Sequence, residues 1–134
     1  MTNKDMREII MDHINDFASK EIQYESWFIQ KIMISSPNED YCMLFDDRGV
    51  EDFVNAPNNY LTEIENKELQ KFINILNLYA NKHKDEKGFL NFDPNYVFYD
   101  LEWENIRQEA QKLYQLLQKG EGIEKLEIID NWTY

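Results

Sequence analysis

Carboxylates are the reactive groups that this chain has in quantity: 26 Asp and Glu stand against 14 Lys and Arg, two His and one Cys. Two carboxylates can share acid–base work when their surroundings drive their pKa values apart. Among 26 acids, however, the sequence singles out no pair. Asp46-Asp47-Arg48-Gly49-Val50-Glu51-Asp52 superficially suggests a calcium loop. It lacks the alternating oxygen ligands and terminal glutamate of an EF-hand, which argues against calcium. Glu65-Asn66-Lys67 matches the acid-x-lysine fragment of some metal nucleases. That triplet is common by chance, and a nuclease also needs a basic surface for its polyanionic substrate. Cys42 lies inside an apolar run, where a thiolate is disfavoured, and reads as a small hydrophobe. His13 sits on an apolar stripe without a second His or Cys at ligand spacing, so it reads as a boundary histidine packed on the core. Four scattered glycines make no phosphate loop, and no GxSxG elbow occurs. The expectation is therefore a protein without catalytic residues, metal or cofactor.

What does stand out is where the charge lies. Between residues 21 and 68, eleven acids face only Lys31, Arg48 and Lys67, so this stretch carries −8 of the net −12. The densest part runs from Glu39 to Asp52, where six acids meet one arginine. Such charge disfavours nucleic acid and anionic membrane surfaces. It suits either solubility alone or attraction to a basic protein. No run approaches the ~18–20 apolar residues of a membrane span. The polar start MTNKDMREII is unlike a signal peptide. With a single cysteine, these features suggest the cytoplasm.

The elements that must carry these groups are read from periodicity. At 134 residues with eight Tyr, eight Phe and three Trp, the chain is one domain with enough apolar anchors for a core. Residues 4–18 predict a helix, with Met6, Ile9, Ile10, His13, Ile14 and Phe17 on one stripe and Thr2–Asp5 at capping-box spacing. Ser26–Ile34 (SWFIQKIMI) reads as a central strand, Ser35–Asn38 as a turn and Tyr41–Phe45 as a second strand. Together these form an antiparallel hairpin near residues 26–46. A second helix is expected over about 61–84, capped by Thr62 and Glu65 and buried through Leu69, Phe72, Ile73, Leu76, Tyr79 and Ala80. Tyr96–Tyr99 is all β-formers and reads as a short strand, although Asp93-Pro94 is also a good helix start. The clearest helix spans about 100–119, capped by Asp100 and Gly120, with Trp103, Ile106, Ala110, Leu113 and Leu117 inward. Its outward face is expected to carry Glu102, Glu104, Arg107, Glu109 and Lys112. Lys125–Ile129 reads as a last strand, before a tail with two aromatics. The predicted fold class is α+β, a single domain (1–134) with a small, mostly antiparallel sheet packed against three helices.

On that frame, Glu39-Asp40 and Asp46-Asp47 flank the second strand and Glu51-Asp52 follow it, an acidic rim with Tyr41 and Tyr60 nearby in sequence. A small acidic domain of this character resembles the bacterial immunity proteins that neutralise nuclease toxins of the contact-dependent inhibition and colicin types. The resemblance implies a non-catalytic inhibitor that binds a basic cognate toxin domain and occludes its active site. The partner-binding residues would be Glu39, Asp40, Tyr41, Asp46, Asp47, Glu51, Asp52 and Tyr60. The physics agrees: a toxin that acts on a polyanion is basic, so an acidic inhibitor is steered to it. Aromatic anchors inside a charged rim then hold the complex.

Alternatives remain open at this point. A phage-type anti-defence inhibitor that mimics DNA would fit the charge, although Lys71, Lys82, Lys84 and Lys87 interrupt any long row of acids. A small-ligand or enzyme domain could use an aromatic pocket lined by Tyr96, Tyr99, Trp103 and His13. The tail Trp132-Thr133-Tyr134 could serve oligomerisation, although a monomer is the simpler expectation.

Overall fold

The computed structural model describes residues 3–47 and 60–123, and among these the chain is helical with no strand. The predicted α+β class is therefore corrected. The β-type pairing among the described residues is an isolated antiparallel bridge between Lys84 and Leu90. In chain order the elements are α1 (Asn3–Ala18), α2 (Lys20–Tyr24) and α3 (Pro37–Cys42), followed by α4 (Glu63–Asn81), α5 (Pro94–Val97) and α6 (Leu101–Lys119). Both α2 and α3 run on into π-helical turns, Glu25–Ile29 and Met43–Asp47. The expected strand over 125–129 and the Thr2 cap lie outside the described residues.

The three long helices follow their periodicity. In α6, Asp100 caps by accepting from the Glu102 amide, Gly120 closes at φ 59°, and Trp103, Ile106, Ala110, Leu113 and Leu117 are all buried. In α4 the Thr62–Glu65 capping box is complete, and all six predicted inward residues are buried. Ile10, Ile14 and Phe17 of α1 close the bundle, with the Phe17 ring 5.8 Å from Phe72 and 6.0 Å from Trp103.

The hairpin does not exist, and each expected strand fails for a local reason. Ser36 accepts from the Glu39 amide and Pro37 takes the first helical position, so the residues read as a turn start α3 instead. Tyr41–Phe45 then continues that helix, with Leu44 fully buried. Ser26 and Trp27 close α2, because the Trp27 ring packs 5.9 Å from Trp103 and 6.1 Å from Phe98. Packing has overridden the strand propensity of this run. For Tyr96–Tyr99 the helix start prevails: Asp93 accepts from the Asn95 amide, Val97 and Phe98 turn inward, and Tyr96 and Tyr99 face out.

A buried polar junction holds each end of the bundle. At one end Arg7 Nη1 and Nη2 donate to Glu65 Oε1 and Oε2 (2.7 and 2.6 Å), and also to the carbonyls of Tyr60 (2.9 Å) and Leu117 (2.8 Å). One guanidinium thus ties α1 to the start of α4 and supplies a donor to a last-turn carbonyl of α6. At the other end Gln23 is nearly inaccessible and uses its whole amide. Its Nε2 donates to the carbonyls of Asp16 and Phe17, and its Oε1 accepts from Trp103 Nε1 (3.1 Å) and Arg107 Nε (2.7 Å). Arg107, expected on the outer face of its helix, is instead 1% exposed. It bonds Glu104 and the Phe98 carbonyl and lies over the Phe98 ring at 4.8 Å.

Candidate partner-binding surface

With α2 closed by its π-turn, the second half of the predicted strand is left outside. Gln30 adopts a left-handed conformation (φ 59°, ψ 34°), which turns the chain away from the helix axis. That conformation costs a non-glycine residue about 1 kcal/mol. Its amide bond to the Glu25 carbonyl (2.7 Å) and its side-chain bond to the Trp27 carbonyl (3.3 Å) hold it there. Ile29, Ile32, Met33 and Ile34 then reach solvent, with Ile32 88% and Ile34 72% exposed. Four large apolar side chains thus stand exposed within six residues.

The backbone beneath them is pinned rather than slack. The Glu25 carboxylate accepts the amides of Lys31 (3.2 Å) and Ile32 (3.1 Å). The Ser35 amide donates to the Ser26 carbonyl at 2.9 Å. Asp40 receives the Trp27 indole N–H (2.9 Å) on one oxygen and the Ser35 hydroxyl on the other. Two carboxylates therefore fix both ends of the loop, which lowers the ordering cost of binding. Two open hollows adjoin it. One, of about 280 Å³, is lined by Glu21, Ile22, Glu25, Ile32 and Met33. The other, of about 620 Å³, is lined by Lys20, Glu21, Tyr24, Glu25, Ile29 and Phe98. Glu21 and Glu25 belong to both, so the apolar surface carries two acids along its side, with Lys20 and Lys31 beside them. Glu39, exposed on the first turn of α3, follows the loop in sequence.

Of the eight residues expected at the acidic rim, Glu39, Asp40, Tyr41 and Tyr60 have described side chains. Glu39 is exposed, whereas Asp40 is buried and both its oxygens point into the scaffold. Tyr41 is half-buried, stacks on Phe45 at 4.3 Å and donates to Asn77 of α4 at 2.6 Å. Tyr60 is half-buried just before α4, where burial raises its phenol pKa. Tyr41 is thus tied to Asn77 near the end of α4, whereas Tyr60 precedes its start, about 20 Å away along the helix axis. Glu51 and Asp52 lie outside the described residues, as do the side chains of Asp46 and Asp47. Of the proposed aromatic pocket, Trp103 and His13 are buried while Tyr96 and Tyr99 face solvent. The four do not line a shared cleft.

The structure does single out a carboxylate pair that spacing could not. Asp16 on α1 is raised from 3.8 to about 7, first by its burial, then by the charges of Asp40 and Asp12. Asp40 is also raised, chiefly by burial, against the lowering effect of its bonds from Ser35 and Trp27. Acid–base chemistry needs a carboxylate that can reach a substrate. Asp40 has no oxygen to spare, so the pair is a charged joint between α1 and α3. Among the described residues no group of three or more His, Cys, Asp or Glu is arranged to hold a metal ion. No described helix is long and apolar enough to cross a membrane. The chain matches no protein-family model, no curated protein and no solved structure.

Proposed function

We propose that this protein is a non-catalytic, protein-binding inhibitor of the immunity type, which docks a basic toxin domain and occludes its active site. The observation that carries the reading is the pinned loop Ile29–Ile34, an exposed apolar surface beside Glu21 and Glu25 on a chain of net charge −12. Such a surface has the anatomy of an interface, an apolar centre with a polar margin. Ile32 and Ile34 supply the area removed from water, and the acids steer a cationic partner at long range. Lys20 and Lys31 offset Glu21 and Glu25 at the surface itself, so the long-range attraction comes from the net charge of −12.

Co-expression with the product of the adjacent upstream gene tests the proposal. That product should be toxic alone, harmless with this protein present, and recovered in a complex whose association slows as salt is raised. A non-toxic neighbour, or a toxin that forms no complex, would overturn the reading.

A further inference from the structure

We propose that the outer groove between α4 and α6 is the face through which two copies of this chain pair. Two hollows lie along it. One, of about 440 Å³, is lined by Ile75, Leu78, Leu101 and Ile106 among others. The second, of about 360 Å³, is lined by Ile64, Ile75, Leu113 and Leu116 among others. They share Ile75 and so form one continuous trough. Its apolar side chains are not core residues in transit: Ile64, Leu78 and Leu101 are 66%, 65% and 83% exposed. Along α4 and its C-cap, Ile64, Glu68, Lys71, Ile75, Leu78 and Lys82 recur in steps of four and three, the spacing of a helix–helix seam.

Charge decides which occupant fits. The charged side chains lining the trough are three acids and three bases, and they are already paired. Glu68 bonds Lys71 at 3.0 Å, Glu102 bonds Lys82 at 3.0 Å, and Glu109 bonds Lys112 at 3.3 Å. On a chain of net −12 this is a neutral face. A cationic partner finds no excess of acid at this contact, whereas two copies can meet at such a face without like-charge repulsion at the contact. An isologous arrangement with its two-fold axis near Ile75 sets the Leu78–Leu101 end of one copy against the Ile64–Leu116 end of the other. The four helices then pack as an antiparallel bundle.

Sedimentation velocity of the full chain over a concentration series tests this. The expected result is a monomer–dimer equilibrium that tightens as salt rises, because screening removes the repulsion between two acidic molecules. That is opposite to the salt response expected for the toxin complex. Leu78→Glu and Leu101→Glu, both at exposed positions, should each weaken pairing by about tenfold or more, while Ile32→Asp should leave it unchanged. Circular dichroism of each variant confirms that the helices persist. A monomer throughout the series would overturn the proposal. So would a dimer indifferent to both leucine substitutions, or one lost in Ile32→Asp.

Discussion

Replacing Asp16 by Asn should stabilise the folded protein at alkaline pH, and do progressively less as the pH falls. The folded carboxyl titrates at about 7 in place of 3.8, through burial and the charges of Asp40 and Asp12. An acid whose folded pKa lies above its unfolded value holds its proton more tightly when folded. Its contribution to stability is therefore fully present below pH 3.8 and is lost as the pH rises through about 7. Above that pH the ionised group opposes Asp40 across the α1–α3 joint. Taken whole, the displacement corresponds to about 4 kcal/mol. The side chain keeps part of its solvent, so about 1–2 kcal/mol is the share to expect. Asn preserves the shape, and the Asp16 backbone carbonyl that Gln23 bonds is untouched by the change. Urea unfolding followed by tryptophan fluorescence, at about pH 5 and about pH 8.5, provides the assay. The variant should gain about 1–2 kcal/mol at the higher pH and clearly less at the lower. An equal gain at both, or none at the higher, would refute the charged-joint argument.

The two polar junctions make equally definite predictions. Arg7→Met leaves Glu65 buried without its partner and should cost about 3–5 kcal/mol, and adding Glu65→Leu should recover much of it; thermal melting of the single and double variants checks both. Gln23→Leu strands Trp103 Nε1 and Arg107 Nε inside the core and should cost about 2–4 kcal/mol, read from a shifted urea midpoint with an unchanged slope.

The three long helices were legible because each advertises itself twice, by a 3.6-residue apolar stripe and by a cap. Thr62–Glu65, Asp100 and Gly120 all act as their residue types suggest. The missing sheet shows how short segments mislead. Ser36 and Glu39 stand at capping-box spacing with Pro37 at the first helical position, and that signal should have outweighed the β propensity of Tyr41–Phe45. In Ser26–Ile34, apolar residues on alternating positions looked like a strand buried on both faces. The run is in fact divided, with Trp27 drawn into the aromatic core and Ile32–Ile34 left outside. Periodicity cannot tell a doubly buried segment from an exposed apolar loop, since both are continuously apolar. The burial of Arg7, Gln23 and Arg107 was out of reach for another reason. Their partners lie up to 110 positions away in sequence, and polar residues enter a core only where such partners wait. The same holds for Asp40, whose place in the acidic run gave no hint that Trp27 and Ser35 would draw it inward.

The central claim is that the pinned loop Ile29–Ile34 is the surface that holds a basic partner. Calorimetric titration of Ile32→Asp, beside the unaltered protein, against the product of the adjacent upstream gene, the partner proposed above, tests it most directly. Ile32 is 88% exposed, so the substitution spares the core, and the loop keeps its bonds from the Lys31 and Ile32 amides to Glu25. Burying an isoleucine in a complex is worth about 1.5–3 kcal/mol, so the variant should bind roughly tenfold to a hundredfold more weakly. An affinity equal to that of the unaltered protein would contradict the account and move the contact elsewhere on the molecule.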